Sequence, residues 1–187
     1  MGFLWSDLVS SVETQVVRAR EVMMAIKRKA PCNASTPAFF SAQRADCFHQ
    51  LQRMLDGGCL KVYLQPKAVI ATGEIRGAEA LSRIVGPDNT ILMPGHFIPQ
   101  LEQQGLIRHV DFFVLQEICR ALARWKHAGR QLMPISLNFS LSTLLEPDVV
   151  GTICALTDQY EVERRLIEIE ITQSVGEKEW DTIVSVG

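Results

Sequence analysis

The sequence has little net charge, no long apolar run and no paired cysteine motif. Its 187 residues carry 19 Lys and Arg against 21 Asp and Glu, a net charge of −2. That near balance excludes broad electrostatic capture of nucleic acid or of an anionic membrane, so any phosphate ligand must be held by local cations. No stretch of about 18 apolar residues occurs, so no segment is built to span a bilayer as a helix. The opening Met1-Gly2-Phe3-Leu4-Trp5 lacks a basic n-region and an apolar h-region, and does not read as a secretory signal. Five cysteines (Cys32, Cys47, Cys59, Cys119 and Cys154) are an odd number without a Cys-x-x-Cys pair. The reading is reduced, mostly buried thiols in a cytoplasmic protein. His49, His96, His109 and His127 form no spaced cluster, and Ser140 and Ser142 have no His and Asp pattern beside them, which argues against nucleophilic serine chemistry.

What is present is an apolar share of 47%, enough for a packed core. Residues 3–29 predict a helix. Trp5, Val9, Val12, Val16, Ala19, Met23 and Ile26 recur at spacings of four and three, the pattern of a heptad seam. Leu8, Val17 and Val22 widen the stripe, so a helix docked on its own domain and a dimerising coil fit equally well. Pro31 ends this helix and residues 31–37 read as a linker. Residues 1–40 are therefore expected to form a helical extension with its linker, and residues 41–187 a domain. Ser41 is placed to cap a helix to about residue 56, stopped by Gly57-Gly58. Strands are predicted near 61–70, 75–84, 134–139 and 166–172. Helices are expected over 97–104, 108–127, from Pro147 to about 160, and 177–186. Strands alternating with helices favour an α/β sheet, apart from the first hairpin.

The chemistry is concentrated in the first strand pair, Tyr63-Leu64-Gln65-Pro66-Lys67 and Gly77-Ala78-Glu79-Ala80-Leu81-Ser82-Arg83, joined by the turn Ala71-Thr72-Gly73-Glu74. Glu79, Leu81 and Arg83 share one parity, which puts a carboxylate and a guanidinium on one face of a strand. A carboxylate can hold a hard cation and a guanidinium a phosphate oxygen. The same alternation also suits a half-exposed strand with a local ion pair. Glu79, Asn138 and Glu170 fall near the ends of three successive predicted strands, the last two opposite the apolar sets Ile135, Leu137, Phe139 and Ile167, Ile169, Ile171. Together they offer two carboxylates and an amide oxygen, the donor types that Mg²⁺ or Mn²⁺ accepts. Taken alone, Asn138 also suits a strand-end turn, Glu170 a solvent-facing position and Lys67 a solvated charge.

Residues 60 to about 174 resemble the first half of an EAL domain, the bacterial cyclic-di-GMP phosphodiesterase family. Glu79-Ala80-Leu81 is the naming motif, set in Gly-Ala-Glu-Ala-Leu-x-Arg after a Tyr-x-Gln-Pro strand. Phe97-Ile98-Pro99 with Glu102, Gly105-Leu106-Ile107, Trp125, Ile135-Ser136-Leu137-Asn138-Phe139-Ser140 and Ile167-Glu168-Ile169-Glu170-Ile171-Thr172 follow in order. The resemblance implies a partial TIM-like (β/α) barrel of about four strands with flanking helices and an antiparallel first strand. It gives Glu79, Asn138 and Glu170 the role of Mg²⁺ or Mn²⁺ ligands, and Gln65, Leu81 and Arg83 that of ligand-binding residues for cyclic di-GMP.

The sequence also departs from that pattern. An eight-stranded barrel usually takes about 250 residues. The family's paired-aspartate motif, its later lysine and glutamate for activating water, and a ligand-contacting glutamine have no counterpart here. Gln173 stands where the family has a glutamate, and Ser82 where it has a second leucine. Two-metal hydrolysis needs both ions. The expectation is thus a module without hydrolytic activity of its own, acting through association as a homodimer or with a protein partner. A cyclic-di-GMP and metal-binding sensor, or a phosphodiesterase completed by a second polypeptide, are the alternatives.

Overall fold

Two-residue spacing of apolar side chains builds the sheet, and a long helix with an apolar stripe covers one side of it. The computed structural model describes residues 39–171. The helices expected over 3–29 and 177–186, and Gln173, lie outside that range. In chain order the elements are α1 (Arg44–Asp56), β1 (Leu60–Ala68), β2 (Ile75–Val85), β3 (Ile91–Leu92), a 3₁₀ turn (Pro94–His96), α2 (Ile98–Gln103), α3 (Ile107–His127), β4 (Ile135–Phe139), α4 (Leu141–Leu144), α5 (Val149–Gln159), a second 3₁₀ turn (Arg164–Leu166) and β5 (Ile167–Ile171).

The sheet runs β1-β2-β4-β5, with the two residues of β3 added to β2. β1 is antiparallel to β2, whereas β2, β4 and β5 are parallel. The fold is α/β with flanking helices and, among the described residues, an open sheet whose outer strands are β1 and β5. Pro66 has no N–H to give a ladder, and it sits on the outer strand β1, where that loss is tolerated.

One face of the sheet is apolar. Leu60, Ala78, Ala80, Ile84, Ile135, Leu137 and Phe139 are buried there, with Ile107, Val110, Val114, Leu115, Ile118 and Leu122 of α3 in the same cluster. Trp125 and Ala121 of α3 are half-buried. The opposite parity carries Lys61, Tyr63, Gln65 and Lys67 of β1, Glu79, Leu81 and Arg83 of β2, Ser136 and Asn138 of β4, and Glu168 and Glu170 of β5. Cys47 and Cys119 are buried, Cys59 and Cys154 half-buried, and all four are free. Burial pushes the Cys119 thiol up to about 11, which keeps it protonated.

Two glycines matter to this layout. Gly58 takes φ +64° where α1 turns into β1, as a helix stop requires. A Cβ at Gly77 would lie 2.8 Å from the Pro134 carbonyl oxygen, so only glycine lets β2 and the start of β4 approach. The adjacent Ala78 N–H donates to that carbonyl at 3.1 Å.

Several boundaries move from those expected. Ser41 does not cap α1: its Oγ accepts from the Gln43 N–H at 3.2 Å and the helix starts at Arg44. Helix α5 begins at Val149 behind Asp148 rather than in the turn after Pro147. β3 and α4 are too short for periodicity to reveal.

Asp111 of α3 secures the turn that follows β4. Its Oδ2 accepts from the N–H of Ser140, two residues beyond Asn138, at 3.1 Å and from the Thr143 hydroxyl at 2.6 Å. Only 5% of Asp111 is exposed. Burial raises its carboxyl from 3.8 to about 6, against the two hydrogen bonds, which favour the anion. An acid whose pKa is higher in the folded state stabilises most below its unfolded pKa, and that stabilisation is lost as pH rises through the folded value. Stability is therefore expected to fall between about pH 4 and 6, by roughly 2–3 kcal/mol from this group. Asp111→Asn keeps an acceptor for both donors and is expected to flatten that fall, read as the urea midpoint across the pH range.

Candidate functional site

The polar parity of the four long strands forms one continuous face. Its register is explicit: Gln65 pairs with Glu79, Glu79 with Ser136, and Ser136 with Glu168, a lateral row across β1, β2, β4 and β5. Asn138 pairs with Glu170 two residues further along. Asn138 and Glu170 are penultimate in their strands. Glu79, expected near a strand end, lies in the middle of β2, because β2 runs on beyond β4 to pair with β1 and β3.

Three of the site candidates are brought together. The Asn138 amide donates from Nδ2 to Glu79 Oε1 at 2.8 Å. Glu170 is the cross-strand neighbour of Asn138. Its Oε1 instead accepts from Lys67 Nζ at 2.7 Å, and the same ammonium lies 3.9 Å from Glu168 Oε2. Lys67 holds the Glu170 carboxylate below the usual carboxylate range, with a smaller contribution from the nearby Ser136 hydroxyl. In return the Glu170 hydrogen bond raises the ammonium of Lys67.

The Lys67–Glu170 contact also reveals the shape of the face. β1 and β5 are separated by β2 and β4. A flat sheet would set them about 14 Å apart with side chains standing upright. A 2.7 Å contact between them requires the sheet to curl toward its polar side. Lys67 is thus an interior-facing member of a curved face, not the freely solvated charge its sequence position suggests. The missed signal was its parity, which it shares with Gln65.

Arg83 is 6% exposed, and its Nη1 donates to the Ser82 carbonyl at 2.6 Å. Burial lowers its guanidinium from the ordinary range, opposed by Tyr63 and Glu79. It makes no ion pair with Glu79 among the described residues. Gln65 is exposed and Leu81 half-buried between Glu79 and Arg83.

A divalent ion is implied by the resemblance, and the donor chemistry can be tested against it. Glu79, Asn138 and Glu170 offer hard oxygen donors. Ser136 is fully buried on the same face, and its Oγ reaches no partner of full hydrogen-bond geometry. A buried hydroxyl without a partner needs an explanation, and a cation or its water shell would supply one. Among the described residues no three His, Cys, Asp or Glu side chains converge. The set therefore fits one hard cation held partly by neutral oxygens. The Lys67 pair is half-exposed, at 42% and 43% of the two side chains, and such pairs are worth little. Lys67→Met is accordingly expected to change stability by less than about 1 kcal/mol in urea unfolding.

Comparison with known proteins agrees with this geometry. The family model described as "EAL domain" matches residues 49–185. The chain is 27% identical over 139 residues to the bifunctional diguanylate cyclase/cyclic di-GMP phosphodiesterase MucR of Pseudomonas aeruginosa, covering 74% of this chain and 20% of that protein. It is 27% identical over 157 residues to the cyclic di-GMP phosphodiesterase NbdA of the same organism, covering 80% and 20%. This chain spans about a fifth of the length of these two relatives. Among solved structures, the MucR phosphodiesterase in complex with c-di-GMP superposes with a TM-score of 0.67 at 27% identity, over 74% of this chain and 56% of that one. The Xanthomonas citri FimX EAL domain with c-diGMP gives 0.60 at 18% identity, over 74% and 51%, a likeness of fold alone. No helix among the described residues is long and apolar enough to cross a membrane. A family match over most of the sequence, and an open α/β sheet that superposes on the MucR phosphodiesterase, lead to one assignment: this chain belongs to the EAL domain family.

Proposed function

We propose that this chain is a cyclic-di-GMP signalling module whose curled polar face receives the dinucleotide and one divalent ion, and that its 187 residues do not hydrolyse the ligand by themselves. The observation that carries this reading is the gathering of Glu79, Asn138 and Glu170 on the face that also presents Arg83. Glu79, Asn138, Glu170 and the Ser136 hydroxyl would hold Mg²⁺ or Mn²⁺. When bound, the ion supplies positive charge to a phosphate oxygen. Arg83 lies four residues from Glu79 on β2, roughly 13 Å along the strand, a span suited to an extended ligand with two phosphates. Gln65 adds an amide beside Glu79, and Leu81 an apolar floor between carboxylate and guanidinium.

Hydrolysis by two metals requires acidic ligands for the second ion and a base for the water. The 187 residues include no Asp-Asp pair, and the described acids do not cluster beyond the set above. We place the module in the cytoplasm, in keeping with the four free thiols among its described residues, and treat residues 1–40 as an extension to the domain of 41–187, tied to it at its end by Phe40, which is buried in the core. With Mg²⁺ or Mn²⁺, the polypeptide is expected to release no linear dinucleotide above the buffer rate. Calorimetry is expected to detect cyclic-di-GMP binding that weakens about tenfold or more in Arg83→Gln, since a charge-assisted bond is lost. Turnover that disappears in Glu79→Ala would overturn the claim of inactivity, and absence of binding the claim of reception.

Association is part of the same reading, and the open sheet favours it. Unpaired strand edges are normally covered or paired. A second copy would bring four more long strands, enough in number to close a barrel across a twofold axis. Light scattering is expected to give twice the chain mass at micromolar concentration, and a stable monomer there rejects the homodimer.

A further inference from the structure

Both carboxylates of the proposed ion site already have an N–H donor from the chain itself. Glu79 accepts from the Asn138 amide and Glu170 from the Lys67 ammonium. The two donors are not equivalent toward a metal. An amide can turn and offer its oxygen, so Asn138 converts from donor to ligand without leaving. An ammonium has three donors and no acceptor. Lys67 can only withdraw, because its Nζ at 2.7 Å from Glu170 Oε1 stands where an ion bound to that oxygen would be. The contact bridges β1 and β5 across two intervening strands, so it is a product of the curled face and not of neighbouring sequence. A second observation lies between those strands, where the Ser136 hydroxyl is fully buried on the same face, beside Glu170 but without a partner of full hydrogen-bond geometry.

We infer that Lys67 is a built-in counter-cation for Glu170, which a divalent ion must displace, and that it therefore sets how tightly the face takes that ion. The inference rests on the ion site proposed above. Lys67 occupies Glu170 when no metal is bound and swings into solvent when one arrives, a movement open to a side chain that is 42% exposed. Released, the ammonium is free to meet an anionic ligand at the carboxyl end of β1.

The test is a titration of Mn²⁺ into the full 187-residue polypeptide, read as loss of the free Mn²⁺ signal in electron paramagnetic resonance. Lys67→Met is expected to bind Mn²⁺ about three- to tenfold more tightly than the unaltered chain, the scale of a half-exposed pair plus relief of like-charge repulsion. Lys67→Arg, which keeps the cation, is expected to stay near the unaltered affinity. In a Glu170→Gln background the gain from Lys67→Met is expected to vanish, since the two residues act on one another. Lys67→Gln serves in place of Lys67→Met if circular dichroism shows the latter unfolded. Equal or weaker Mn²⁺ binding in Lys67→Met overturns the inference and leaves the ion site standing. The same gain with and without Glu170 also overturns it, because the effect is then one of general charge. Failure of every form to take up Mn²⁺ removes the ion site itself, and this inference with it.

Discussion

The register between β2 and β4 is the constraint on which the polar face depends. With Ala78 beside Ile135 and Ala80 beside Leu137, every second side chain enters the core and the alternates meet on the other side. A slip of one residue would turn Glu79 into the apolar cluster and lift Ala80 out of it, since side chains alternate strictly along a strand. Local chemistry resists that slip. The Pro134 carbonyl sits against Gly77, where no Cβ could fit, and takes the next N–H of β2. The glycine preceding the Ala-Glu-Ala-Leu run thus acts at a distance of two residues on where Glu79 points.

Curling turns the alternating strands into a site. Parity alone makes a sheet with one polar side. Only a sheet bent toward that side lets Lys67 on one outer strand touch Glu170 on the other. The helices pack on the opposite, apolar side, where α3 contributes most of its buried residues. Asp111 joins the two layers, because its carboxylate holds the backbone immediately beyond Asn138 from within the helix layer. The core therefore positions the end of β4 through a polar contact as well as by packing.

The face carries its own compensation. Three carboxylates (Glu79, Glu168 and Glu170) share it, and the chain answers with an amide, an ammonium and a buried guanidinium. Arg83 makes its named bond to a backbone carbonyl and none to an acid among the described residues. The Arg83 charge is thus not committed to an acid there, whereas that of Lys67 is committed to Glu170. Arg83 and Lys67 therefore play different parts on one face, set by what lies within reach of each.

The sequence by itself determined the strand pair, the split of Glu79, Leu81 and Arg83 from Ala78 and Ala80, the long helix of α3 and the EAL family, because hydrophobic period and an ordered motif series are properties of neighbouring residues. It also carried Asn138 and Glu170, each opposite an isoleucine, leucine or phenylalanine set on its own strand. What only the tertiary structure decided lies between strands. The extension of β2 past β4 moved Glu79 away from a strand end, and the capping expected of Ser41 gave way to a tight turn before α1. The link of Asp111 to Ser140 spans 29 positions and that of Lys67 to Glu170 spans 103. No local pattern records such pairs: they arise when backbone hydrogen bonding curls four strands together and brings distant side chains within reach.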